Sequence, residues 1–288
     1  MKQNIFALIE KKGNLPPFPD ILLKLQQKIG DINTSITDIA KIIELDVSLA
    51  GNILKLANSA FYSIGSQEVK TLPIAINKLG LSKIKQLVYS LKLTSLFSKS
   101  KVIDFYQFWQ HCLSVAMFTQ ALASYVKAPR EIQDISYLAG LMHDVGIIVF
   151  VYLIPSEYSD FLEKAGEKEI TLEKQESEYF GCDHQEVGAA FIEKWWLSDT
   201  QIINAVRYHH FPFYGTNAEK KCSQIVHIAN GICNSQGYTN GINCFHEVFK
   251  DGAWEDLGLS LSDVESILQD VNIAISQSSE LLGYSSQK

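Results

Sequence analysis

Leu138-Ala139-Gly140-Leu141-Met142-His143-Asp144-Val145-Gly146-Ile147-Ile148-Val149-Phe150 is an almost unbroken apolar run with a histidine and an aspartate side by side at its centre. An ionised carboxylate in such surroundings is costly unless something polar pairs it. Neutral imidazole and carboxylate are both metal ligands, so a metal ion is one economical partner; a buried salt bridge is the other. The wider segment from Ile135 to Ile154 approaches the ~20 apolar residues that a bilayer helix needs. The His-Asp pair in its middle argues against a span. The reading is a helix buried in an all-helical core, ending near Gly146 with Pro155 beyond.

Composition supports that choice. Of 288 residues, 47% are hydrophobic and 20% charged, which excludes a disordered chain and leaves room for one large core or two domains. A formal net charge of -7 and a pI near 5.5 give no general attraction to phosphate backbones or anionic lipid. Neither nucleic acid nor membrane is therefore expected as a partner. Met1 to Lys12 lack a small-residue cleavage site, so a cytoplasmic protein is expected. The five cysteines form no C-x-x-C pair and suit free thiols in a reducing compartment. Cys222, Cys233 and Cys244 are equally spaced, but Gly231, Gly237 and Gly241 are expected to interrupt any helix that would align them.

Outward from the central run the chain reads as helix after helix. Asn14 to Asp20 carries three prolines and precedes a helix over Ile21 to Ile29. Thr37 to Leu56 has helical apolar spacing that is expected to break near Asp46, and Asn58 to Tyr62 reads as a turn. Thr71-Leu72-Pro73 opens a further helix, and Gly80 closes it. Leu81 to Phe97 is a long apolar helix. No period-two alternation appears, so no strand is predicted.

Ser98 to Asp104 is polar and divides the chain into subdomains of residues 1–100 and 101–288. Helices are predicted over Phe105 to Val126, His184 to Trp196, Thr200 to His210 behind an Asp199 cap, and Lys221 to Asn234. Ser156 to Phe180 is amphipathic and heavily charged, and reads as a solvated face rather than a lid. Gly241 to Lys288 reads as two or three short helices and a frayed tail.

His111, His143, Asp144, His184, His209, His210 and Asn230 are polar groups set inside or at the ends of these apolar helices. That is more than satisfied core imidazoles usually require. His227 and His246 lack such a setting and read as structural.

In order, His111, then His143-Asp144, then Asp183-His184-Gln185-Glu186-Val187-Gly188-Ala189, then Tyr208-His209-His210, then Val226-His227-Ile228-Ala229-Asn230 resembles the HD superfamily of metal-dependent phosphohydrolases, especially its HD-GYP branch. Leu15-Pro16-Pro17-Phe18-Pro19, Leu45-Asp46-Val47-Ser48-Leu49, Leu56-Ala57-Asn58-Ser59-Ala60-Phe61-Tyr62 and Ala75-Ile76-Asn77-Lys78-Leu79-Gly80 are similar to the hallmarks of the HDOD domain, the HD-related output domain of bacterial signalling proteins. The resemblance implies an all-α HDOD fold, an N-terminal helical subdomain packed on an HD-like one. It also implies metal ligands at His111, His143, Asp144, His184, His209 and His210, with Asn230 at the closing ligand position.

The departures from that pattern decide between functions. The family's closing aspartate falls on Asn230, the acidic residue before the first histidine falls on Gln107, and the lysine after the HD pair falls on Ile147; the GYP signature is absent. Two divalent ions ~3.5 to 4 Å apart need anionic ligands between them. Asp144 is the one carboxylate left in the set. Imidazoles with Asp144 favour one or two ions of Fe, Mn, Zn or Ni over Mg. Loss of the lysine removes a fixed positive group that would hold a phosphate.

The first reading is therefore a catalytically degenerate signalling module that keeps a metal site and works through a signalling protein partner or a small nucleotide-type ligand. No receiver, EAL, GGDEF or kinase pattern accompanies it, so it is expected to act as a separate partner. The second is a metal-dependent phosphohydrolase acting on a nucleotide or cyclic dinucleotide. The third is a buried hydrogen-bond network with no ion.

Overall fold

Sixteen α-helices, and no strand, make up the described residues of the computed structural model. Described are residues 2–278 apart from 12–14, 30, 32, 59–67, 98–99, 167–168, 198, 215–216 and 246–251. The expected turn after Asn58, His246 and the C-terminal tail lie outside them. The chain forms two compact units, residues 18–98 and residues 1–17 with 99–278.

The first unit is assembled by its helix ends. α2 (Asp20–Ile29) follows the proline segment, and α3 (Ile36–Glu44) begins with a capping box in which Ser35 and Asp38 bond reciprocally. Asp46 then breaks the predicted long helix: its carboxylate accepts from Leu49 N–H and caps α4 (Val47–Ala57). Asn58 closes α4 by donating to the carbonyls of Leu54 and Val69 and accepting from Val69 N–H. α5 (Leu72–Leu79) has Pro73 in its first turn and ends at Gly80, whose φ of 82° suits glycine. α6 (Leu81–Leu96) follows directly. Leu22, Leu25, Ile39, Ile43, Ile53 and Ile76 form its buried interior.

The second unit contains α1 (Lys2–Glu10), which sequence periodicity did not reveal, and α7 to α16. Residues 1–17 therefore pack with 99–278 rather than within a subdomain of 1–100. Indole donors fix them there: Trp195 Nε1 donates to the Ile9 carbonyl and Trp196 Nε1 to that of Pro16. α7 (Phe105–Tyr125) is buried along most of its length and packs on α8 (Arg130–Met142). A Cβ at Gly140 would fall 2.6 Å from Thr119 Oγ1 and 2.8 Å from Ala116 Cα, so glycine permits that close crossing.

α9 (Val145–Leu153) is not a continuation of α8. The helix breaks at His143-Asp144 instead of near Gly146, because the Gly140 carbonyl is taken by the His143 ring rather than by the next turn's amide. Residues 130–153 together are long and apolar enough to cross a membrane, with a mean hydropathy of 1.6, yet 89% of the apolar window is buried in the protein. α10 (Pro155–Ala165), α11 (Leu172–Phe180), α12 (His184–Trp195), α13 (Thr200–Tyr208) and α14 (Asn217–Ser235) follow, then α15 (Ala253–Leu257) and α16 (Leu261–Ser278). α14 runs through Gly231 unbroken, contrary to expectation, whereas Gly237 and Gly241 turn the chain at positive φ after it.

Candidate metal centre

Three histidines of the cluster sit where helices stop or start, and helix ends carry backbone groups without intrahelical partners. His143 follows the last residue of α8 and its Nδ1–H donates to the Gly140 carbonyl at 2.8 Å. His209 follows α13 in the same way, its Nδ1–H donating to the Val206 carbonyl at 2.8 Å. His184 is the first residue of α12; its backbone N–H and its Nδ1–H both donate to Glu176 Oε2, at 2.8 and 2.6 Å. His111, in mid α7, donates from Nδ1 to the Tyr238 carbonyl at 2.6 Å. A carbonyl or carboxylate can only accept, so each Nδ1 carries a proton, and in the neutral ring Nε2 then presents a lone pair.

Those lone pairs converge. His111 Nε2 and His143 Nε2 are 3.2 Å apart, His184 Nε2 and His209 Nε2 3.4 Å, and His184 Nε2 and His210 Nε2 3.2 Å. Asp144 stands among them: its Oδ1 is 3.3 Å from His143 Nε2, 3.4 Å from His209 Nε2 and 3.6 Å from His184 Nε2, while Oδ2 is 3.6 Å from His111 Nε2. Two ligand sets result, His111-His143-Asp144 and Asp144-His184-His209-His210, which share the aspartate. Tetrahedral ligands at about 2.1 Å from an ion lie about 3.4 Å from one another. The spacing and the neutral nitrogen donors thus fit a transition-metal ion, and the cluster can hold one.

Electrostatics agree. Burial alone would push the Asp144 carboxyl up, but the imidazoles of His143, His209 and His184 reverse that and hold it well below the usual carboxylate range. Burial opposes charging of His184, yet Glu176 and Asp144 raise it to about 10. Burial lowers His209 to about 4 and holds His210 well below the ordinary histidine value. A proton on the Nε2 of His184 can serve one neighbour at a time.

Gly146 is the hinge of the arrangement. A Cβ there would overlap the His184 carbonyl, and one on Gly188 would fall 2.8 Å from Gly146 N, so only glycines let α9 and α12 approach closely enough to bring His184 to Asp144.

All seven residues singled out from the sequence come together except in degree. His111, His143, Asp144, His184, His209 and His210 supply the two ligand sets. Asn230, on α14, lines the adjoining cavity but accepts at Oδ1 from Asn234 Nδ2 at 3.1 Å. Gln107 is exposed and lies against Gly241. Ile147 is fully buried. His227 donates from Nδ1 to the His209 carbonyl at 2.7 Å.

Sequence reading missed Glu176, the carboxylate that orients His184. It also missed Tyr158, whose hydroxyl donates to Glu176 Oε1 at 2.6 Å, and Asn240, whose amide donates to Asp144 Oδ2 at 3.0 Å. Here the expectation of a solvated face over Ser156 to Phe180 holds for Glu157, Asp160, Glu163, Lys174 and Glu178, which are exposed, and fails on one stripe of α11, where Glu173, Gln175 and Glu176 are buried. The signal was present, because Glu173 and Glu176 share the helical stripe of Leu172 and Phe180. A cavity of about 30 Å³ adjoins the cluster, lined among others by Glu173, Asn230, Asn234, Asn240 and Cys244. Burial and the nearby charges of Glu176, Asp144 and Glu173 push the Cys244 thiol up to about 12.

Comparison with known proteins places this arrangement. The family model of the HDOD domain matches residues 15–212. An uncharacterised protein of Treponema pallidum (strain Nichols) is 28% identical over 204 residues, 71% of this chain, which spans 39% of that relative's length. Among solved structures, an HDOD domain protein of unknown function from Geobacter sulfurreducens superposes with a TM-score of 0.77 at 23% identity, covering 97% of this chain and 98% of the other. A candidate signal transduction protein of Marinobacter aquaeolei VT8 gives 0.74 at 21% identity over 94% and 60%. A candidate phosphohydrolase of Shewanella amazonensis SB2B gives 0.73 at 18% identity over 97% of each chain. At these identities the likeness is one of fold.

Proposed function

The chain belongs to the HDOD domain family, and from that premise we propose that it is a signal-transduction module whose histidine centre holds a divalent transition-metal ion without hydrolysing a phosphoester. The observation that carries the metal assignment is the set of four locked Nδ1–H groups, which leaves Nε2 lone pairs pointing at one another around Asp144. Asp144, His184, His209 and His210 would hold the first ion, because Glu176 adds anionic support on that side. His111 and His143, with Asp144, form the weaker second place. Such an ion, when bound, supplies Lewis acidity and a concentrated positive charge.

The residues around it argue against turnover. The cavity beside the cluster, about 30 Å³ among the described residues, has room for one or two waters and not for a nucleotide, and none of the described residues that line it is Lys or Arg. Ile147 stands where the family pattern has a lysine, and Asn240 already occupies Asp144 Oδ2. A phosphodianion would meet Glu173 and Asp144 with no lysine or arginine among the described lining residues to offset them. One feature favours the rival phosphohydrolase reading: the two ligand sets share a carboxylate, which is the layout of a two-metal site. The output of a degenerate module would pass through a signalling protein or a small nucleotide-type ligand.

The test is elemental analysis of protein purified without chelator, for wild type, His143→Ala and Asp144→Ala, followed by hydrolysis assays on the metal-loaded protein. Near-stoichiometric Fe, Mn, Zn or Ni that disappears in both variants, with no cleavage of cyclic dinucleotides or bis(p-nitrophenyl) phosphate, is the expected result. Cleavage lost in Asp144→Ala would make the protein an enzyme. No metal even after reconstitution with Fe(II) or Mn(II) would return the cluster to a hydrogen-bond network.

A further inference from the structure

A second, larger cavity of about 320 Å³ lies in the same unit, lined by Phe6 of α1, Asp183, Glu186, Arg207, Tyr208 and Tyr214. Its volume is that of small-ligand sites, roughly 300 to 1,000 Å³. Two further observations point to a ligand. Tyr208 and Tyr214 are stacked, with ring centroids 5.3 Å apart and planes at 10°, and Tyr214 remains 64% exposed, a flat aromatic face at the rim. Beside it stands the guanidinium of Arg207, which lines the cavity and donates from Nη2 to Glu193 at 3.0 Å.

Charge selects the class of occupant. Asp183, Glu186 and Glu193 outweigh Arg207 around the cavity, so an anion is disfavoured and a neutral or cationic group with N–H donors is favoured. The tyrosine pair favours a planar ring. We propose that this cavity binds a planar heteroaromatic molecule of nucleobase or aryl-amine size, with N–H donors toward Asp183 and Glu186 and an acceptor toward Arg207. The site is independent of whether the histidine cluster holds metal, but it adjoins that cluster. Gln185, also in its wall, accepts from His210 N–H at 2.8 Å and donates to Asp183 Oδ2 at 3.2 Å. An occupant would thus touch the backs of the loops that carry His184, His209 and His210.

The experiment is calorimetric or ligand-observed NMR titration of the full chain with adenosine, tryptamine and AMP. Saturable binding of adenosine or tryptamine with a Kd below about 1 mM is expected. AMP, which adds two negative charges to the same ring system as adenosine, should bind at least about tenfold more weakly than adenosine. Tyr214→Ala, at an exposed position where the fold is not at stake, should weaken binding by about tenfold at an unchanged Tm, and Tyr214→Phe should not. The proposal is overturned if neither probe saturates, if AMP binds as well as adenosine, or if Tyr214→Ala leaves affinity intact.

Discussion

The helices of residues 18–98 and those around His143 use charge in opposite ways. In the first unit the groups that shape the fold, Ser35, Asp38, Asp46 and Asn58, sit at helix ends near the surface and satisfy backbone amides one at a time. In the second, helix ends point inward, and their free carbonyls lock imidazoles whose other nitrogens then lack a proton to share. The first device is complete in itself. On the proposed reading the second is completed by a cation, so the two regions should respond differently to substitution and to chelation.

The largest expected effect is at Gly146. Gly146→Ala places a methyl on the His184 carbonyl, and α9 and α12 must separate. Destabilisation of about 3 kcal/mol is expected, read as a lowered denaturation midpoint. Metal content should fall with it. A Gly146→Ala protein with wild-type stability would show that the approach of the two helices is not what assembles the site.

Next is Glu176. Glu176→Gln removes the charge that faces His184 Nδ1–H while keeping the shape of the side chain. Affinity for Zn(II) or Mn(II), measured by competition with a fluorescent chelator, should drop about 10- to 100-fold. A purely structural Glu176 would lower Tm without that change in affinity.

How much of this was legible in the sequence follows the same division. The helices of residues 18–98 could be placed nearly to the residue, because Pro73, Gly80 and Asp46 act on their immediate neighbours. The ligands were legible too, since a histidine at the end of an apolar helix stands out against its surroundings. What orients them was not: Glu176, Asn240 and the Tyr238 carbonyl reach the cluster from segments whose local pattern reads as charged helix or loop. Nor did local pattern assign Met1 to Pro17 to the second unit, because Trp195 and Trp196, nearly two hundred residues away, fix them.

A smaller effect sharpens the contrast from the other side. Asp46→Ala removes the α4 cap and the partner of Lys92, whose Nζ lies 2.8 Å from Asp46 Oδ2. A loss of about 1 to 2 kcal/mol is expected, mostly from the cap. Metal content should be unchanged, since no residue of the cluster lies in that unit. Loss of metal in this variant would show that the two units do not act separately.

The smallest effect concerns the ion pair alone. Both side chains are about a quarter exposed, so solvent and salt screen the interaction, and Lys92→Met should cost less than about 1 kcal/mol. Its pH dependence has a definite sign. The Lys92 ammonium and the Leu49 amide lower the pKa of Asp46 below its ordinary 3.8. A carboxyl depressed in the folded state binds fewer protons than in the unfolded chain, so its stabilisation is fully present above pH about 4 and is lost as pH falls through the lower folded value. The stability difference between wild type and Lys92→Met, followed by urea denaturation, should therefore be flat from pH 5 to 7 and shrink below pH 4. High salt should shrink it at every pH, whereas the cap contributed by the same carboxylate should persist. A difference that stays unchanged as the pH falls below 4 would mean that Lys92 contributes through the packing of its aliphatic stem and not through Asp46.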